Sequence, residues 1–158
     1  MRQVATGCER LQIKNSLRAR GWEIFFTEKG DCFHCHGSIL FSNNLFHNNG
    51  LDSVFTNYGL EDITGLQEDR GKFKTPTLRN IEFTGPYMHD GRYNSLEEVI
   101  DFYSDELKYS ETIDPLMKNV HQGGLLLTTA EKADLLAFLL TLSDSTMLLD
   151  PNLAEPNF

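Results

Sequence analysis

The 158 residues carry a formal charge of −9, from 14 Lys and Arg against 23 Asp and Glu, with 40% hydrophobic and 11% aromatic residues. A chain of this length buries a core without a disulfide scaffold, and three cysteines are too few to build one. An acidic chain with no basic stripe excludes nucleic acid and suits a basic protein partner, and without a run of about 18 apolar residues no membrane span is predicted.

Residues 1–14 read as an N-terminal extension, too polar in MRQVATGCERLQ for a secretory signal. Cys8, in ATGC, resembles the end of a lipoprotein processing box but follows no hydrophobic stretch, so it reads as a free cysteine. Leu17, Gly21, Ile24 and Phe25 recur at helical spacing and predict a helix from about Asn15 to Glu28. Gly21, one turn before Phe25, would let a second helix approach closely. The stretch GDCFHCHG then brings two cysteines and two histidines together at Cys32, His34, Cys35 and His36.

From Phe41 to Gly71 the periodicity vanishes in a segment rich in Asn, Gly and Asp. A loop of about 30 residues is unusual in a compact domain unless it is functional or wrapped round a ligand. The stretch GKFKTPTLRNIEFTGPYMHDGRY reads as ordered turns with a short helical piece. Ser95 with Glu98 three residues on is a capping box, opening a helix whose Leu96, Val99, Ile100, Tyr103 and Leu107 share one face, which turns Tyr103 inward. Thr128 with Glu131 opens a second, the most apolar of the chain, whose expected partner is the Gly21 and Phe25 face. Residues 144–158, with two prolines, are expected to form an extended arm. With no alternating pattern and no repeat, the predicted class is all-α: a cytochrome c-like domain at 15–143 with long loops wrapped round one covalent haem.

The haem is read from the motif. In Cys-x-x-Cys-His the thiols of Cys32 and Cys35 add to the haem vinyl groups and His36 supplies an iron ligand. Both sulfurs must reach one porphyrin edge while the next residue turns under its face. A zinc site would need four ligands, usually a second pair at similar spacing, but His47, His89, His121 and Cys8 are scattered. A thioredoxin-like pair belongs at a helix start after a strand, and no strand pattern precedes the motif. His34 is left as a bystander at the haem edge. Lys72, Lys74 and Arg79 are a local cationic group, and Arg79 has the fork that suits a haem propionate, the alternative being a solvated loop charge. Phe73, Pro76 and Leu78 would then pack on the haem. His47 reads as a hydrogen-bonding loop residue, and His89 with Asp90 as organisers of a turn rather than an acid and base. Covalent haem implies assembly outside the cytoplasm, hence a periplasmic location and a natural start that is not Met1.

The ordered set CFHCHG, LFHNNGLD, GKFKTPTLRNIEFTGPYMHDGRYNSLEEVIDFY and EKADLLAFLLTL, from about Gly21 to Asp144, resembles the C-terminal haem domain of the bacterial dihaem cytochrome c peroxidase family, including its MauG-like branch. The resemblance implies two cytochrome c-like domains, one haem each, with a calcium ion between them, peroxide being reduced at the N-terminal haem and electrons passing through the C-terminal one. This chain carries one haem motif and lacks the peroxidatic half, so it is expected to be a fragment, one chain of a split protein or a single-haem relative, paired with a second haem domain and serving a redox donor or protein substrate. Family position puts Tyr103 at the sixth ligand site, as in the MauG-like branch, with Met88 and then Met117 as alternatives and a buried core tyrosine as the plainer account. Thr84 and Pro86 match positions whose carbonyls bind the calcium, the alternative being a Pro-containing turn. The resemblance thus implies an electron-transfer half of an oxidoreductase, the rival being a stand-alone monohaem carrier. An iron with its sixth position open would instead bind peroxide directly.

Overall fold

A computed structural model of the chain describes residues 16–153, so the N-terminal extension with Cys8 and the last five residues lie outside the described part. Helix α1 (Leu17–Phe25) opens on Ser16, whose hydroxyl accepts from Ala19 N, and ends at Phe26 rather than continuing to Glu28. One-turn α2 (Phe33–His36) carries the Cys-x-x-Cys-His motif. After it come β1 (Phe46–His47), the short α3 (Glu61–Thr64) and β2 (Phe73–Lys74). Helices α4 (Leu96–Asp105) and α5 (Thr129–Leu139) both start on the expected capping boxes, with Glu98 and Glu131 reaching back to the cap.

Two departures from expectation are informative. The chain is mostly helical and irregular but not purely helical, because β1 and β2 pair antiparallel with Phe46 opposite Lys74 and His47 opposite Phe73. The described tail is wound into two 3-10 turns, Ser145–Leu149 and Pro151–Leu153, instead of running as an extended arm. Asp144 starts the first by accepting from Thr146 N.

The α1–α5 contact is set by Gly21. A Cβ there would lie 1.9 Å from the Asp134 carbonyl oxygen, so only glycine permits this approach. Beside it Arg20 donates to both oxygens of buried Asp134, at 2.6 and 2.7 Å, pairing a charge that would be costly alone. Phe25 and Phe138 meet with ring centroids 5.1 Å apart inside the larger apolar cluster, which also holds Ile24, Ile100 and Leu135. Each such buried side chain contributes roughly 1.5–3 kcal/mol. A smaller cluster gathers Leu51, Phe102, Leu107 and Val120, with Met88, Tyr93, Tyr103, Ile113 and Met117 packed against it. Helix α4 serves both clusters, giving Leu96 and Ile100 to the first and Phe102 to the second. Among the described residues no helix is long and apolar enough to cross a membrane.

Candidate haem-binding site

Cys32 and Cys35 are free, half-buried thiols one helical turn apart. Cys32 Sγ donates to the Gly30 carbonyl at 3.2 Å. Burial pushes the Cys32 thiol up to about 12 and the Cys35 thiol up to about 11, with the Asp31 carboxylate adding to both. A redox pair or thiolate metal site needs the opposite shift. Neutral S–H groups are what a thioether bond consumes, since sulfur and hydrogen both end on the vinyl carbons. His36 Nδ1 lies 2.7 Å from the Phe41 carbonyl, and burial moves the imidazole below its ordinary value, towards the neutral form. Nδ1–H therefore donates to the carbonyl, which leaves Nε2 as the nitrogen available to a metal, the usual orientation of a ligating histidine.

The loop after the motif is held by its own polar groups. Asn43 N donates to the Cys35 carbonyl at 2.8 Å, and its side-chain amide donates to His47 Nε2 at 2.9 Å. His47 Nδ1 in turn faces Asp114 Oδ2 at 2.5 Å. Both ring nitrogens of His47 are thus engaged within the protein, in keeping with a loop-organising residue. Sequence reasoning missed Asp114, which comes from 67 residues away, and missed Phe41, whose contribution is a backbone carbonyl that no side-chain pattern announces.

Tyr103, Met88 and Met117, the three alternatives for a second iron ligand, all pack against the smaller cluster. Burial pushes the Tyr103 phenol up to about 12; a hydrogen bond from Asn49 opposes this, and the Cys32 and Cys35 thiols add to it. The fold therefore brings the phenol within electrostatic reach of both motif sulfurs. Asn49 Nδ2 donates to Tyr103 Oη at 3.0 Å and lies 3.8 Å from Met88 Sδ. Asn49 was not singled out beforehand, because within FHNNG it looks like ordinary loop composition.

The remaining expected residues disperse. Phe73 is half-buried and stacks on His89 with centroids 3.8 Å apart, while Asp90 binds Arg92 and completes that turn. Leu78 packs against the larger cluster and Pro76 is exposed. Arg79 is exposed, and its guanidinium donates twice to the Ile39 carbonyl, at 3.1 and 2.8 Å, so it ties down the loop following the motif. Thr84 and Pro86 sit on an exposed turn, with Thr84 Oγ1 donating to the Ile81 carbonyl and a cis bond between Gly85 and Pro86. His34 faces Asp31 at 3.0 Å and Glu28 at 3.4 Å, and Lys118 already neutralises both acids.

Two neutral thiols on one turn, an oriented imidazole and an inward phenol form a donor set that fits a covalently attached haem. No protein-family profile matches the chain. It is 33% identical over 179 residues to the cytochrome-c peroxidase IdrP1 of Pseudomonas sp. strain SCT, covering 89% of this chain and 45% of that protein. It is 33% identical over 129 residues to the methylamine utilization protein MauG of Methylophilus methylotrophus, covering 81% of this chain and 37% of that protein. Among solved structures, a MauG-like protein associated with microbial copper homeostasis superposes with a TM-score of 0.79 at 39% identity, covering 90% of this chain and 51% of that one. The chain spans less than half the length of these curated relatives. With sequence, fold and donor set in agreement, the chain belongs to the cytochrome-c peroxidase and MauG family of c-type haem oxidoreductases, as its C-terminal haem domain.

Proposed function

We propose that this chain carries one haem c, bound through thioethers at Cys32 and Cys35, and works as the electron-transfer half of a dihaem peroxidase-like or MauG-like oxidoreductase. The observation that carries the reading is the Cys32, Cys35 and His36 motif gathered on one helical turn, with the His36 ring held by the Phe41 carbonyl so that Nε2 is free for iron. Bound there, the haem supplies a one-electron iron couple. His36 offers Nε2 from one side, its ring held by the Phe41 carbonyl. Tyr103 offers Oη as the second iron ligand, and an anionic oxygen donor favours the ferric state where a neutral thioether raises the potential. If His36 and Tyr103 both bound the iron, peroxide would have no free site on this half, and reduction of peroxide or oxidation of a protein substrate would belong to a second haem domain. The haem-bearing unit corresponds to residues 15–143.

Phe73, Pro76 and Leu78 would pack at the margin of the haem, with Arg79 holding the adjoining loop through the Ile39 carbonyl. Calcium is proposed at the exposed Thr84 and Pro86 carbonyls, with its remaining ligands from the other half. Thioether formation places the mature protein outside the cytoplasm. A stand-alone carrier with Met88 as ligand is the second reading, favoured by the packing of Met88 against the same apolar cluster as Tyr103.

The test is the optical and EPR spectrum of the ferric, haem-loaded chain beside Tyr103→Phe. A high-spin tyrosinate-type signal that disappears in the variant supports Tyr103 as ligand. A low-spin His/Met spectrum indifferent to the substitution overturns it and favours the carrier.

A further inference from the structure

Asn49 links the two rival ligands through a single nitrogen. Its Nδ2 is 3.0 Å from Tyr103 Oη and 3.8 Å from Met88 Sδ, and one amide carries two hydrogens, enough to serve both. We infer that Asn49 is the positioning residue that selects the sixth iron ligand, its amide presenting Tyr103 Oη while holding Met88 Sδ back. This rests on the reading of Tyr103 as a ligand.

The backbone around Asn49 is locked to the segment that follows the helix carrying Tyr103. Asn48, 1% exposed, donates its amide hydrogens to the Ser110 and Thr112 hydroxyls at 3.0 Å each, and its Oδ1 accepts from Gly50 N at 3.0 Å. Lys108 N, just beyond α4, donates to the Gly50 carbonyl at 2.8 Å. Gly50 has φ +77°, and a Cβ there would stand 3.2 Å from the Lys108 carbonyl, so the turn strongly favours glycine. Asn49 is thereby pinned at both neighbours and its side chain has a fixed aim.

Met88 is held as firmly from the other side. It sits at φ +70°, a region costly for a residue with a Cβ. Its turn is closed by Tyr87 N donating to the Tyr93 carbonyl at 2.7 Å. The same donor acts oppositely on the two candidates. An N–H aimed at Oη stabilises electron density on the oxygen and so favours an anionic ligand, whereas an N–H aimed at Sδ occupies a lone pair that the thioether would otherwise offer to iron. Selection therefore follows from one amide rather than from the identity of Tyr103 alone.

The experiment uses the full haem-loaded chain and compares wild type, Asn49→Leu, Asn49→Gln and Asn49→Leu with Met88→Leu. Readouts are resonance Raman tyrosinate bands, the methionine-to-iron charge-transfer band and the midpoint potential. Asn49→Leu is expected to lose tyrosinate intensity, gain the methionine band and shift the potential upward. Asn49→Gln, which keeps a donor, is expected to restore the wild-type bands, and the double variant to lose the methionine band. If Asn49→Leu loads too little haem, Asn49→Ala is read in its place with the same expectation. A variant that keeps wild-type bands and potential, while Tyr103→Phe abolishes the tyrosinate signal, overturns the role of Asn49 and leaves the ligand reading standing. A wild-type spectrum unmoved by Tyr103→Phe overturns both.

Discussion

Arg92 lies between two carboxylates, 2.7 Å from Asp52 and 2.6 Å from Asp90, and steadies the turn from which Met88 and His89 project. Its guanidinium holds both carboxyls below their ordinary value. Because the three side chains are 26–37% exposed, solvent screening limits the gain, and Arg92→Gln is expected to cost about 1 kcal/mol. Folded values lowered in this way contribute stability that is fully present above the ordinary carboxylate range and is lost as pH falls through them. The urea midpoints of wild type and Arg92→Gln should therefore differ near neutral pH and converge in acid and in high salt. At this scale the motif was legible because covalent chemistry demands its spacing, and Tyr103 because helical periodicity turned it inward. Asn49, Asp114 and the Phe41 carbonyl were not, since each acts through a partner that only folding brings near.

Helices α4 and α5 could be read from their capping boxes, because a hydroxyl and a carboxylate three residues apart satisfy orphan N–H groups wherever the pair occurs. The α1–α5 packing was legible in Gly21. Gly21→Ala puts its Cβ onto the Asp134 carbonyl, so the helices must separate, at an expected cost of about 1–3 kcal/mol in the unfolding free energy from urea titration. A change within a few tenths of a kcal/mol would show that α1 is free to slide. The paired strands were not legible. Two residues each are too few for an alternating signal, and their register depends on where the loops on either side are anchored. The turns of the tail depend on the Asp144 cap, which accepts from Thr146 N, and on distant Asn80, whose Oδ1 accepts from Asp144 N.

At the scale of the molecule, a formal charge of −9 sets the field that any redox partner meets. Reduction of the haem-loaded chain by a cationic complex such as hexaammineruthenium(II) should slow as ionic strength rises, while an anionic reductant should speed up, both followed by stopped-flow absorbance. Equal salt dependence for the two would mean that the region where electrons enter is not acidic. The chain covers less than half of the peroxidase and MauG relatives it matches.

The sequence by itself determined the Cys-x-x-Cys-His spacing, the inward face of α4, the two capped helices and the family, because each depends on spacing along the chain or on a local hydrogen bond. The tertiary structure decided what surrounds that motif. It directs Arg79 to the Ile39 carbonyl, stacks Phe73 on His89 and sets one asparagine between a tyrosine 54 residues away and a methionine 39 residues away. The physical reason is that side-chain hydrogen bonds and ring contacts between distant segments have no fixed period. Their partners are chosen by the packing of the two apolar clusters, which no local stretch of residues encodes.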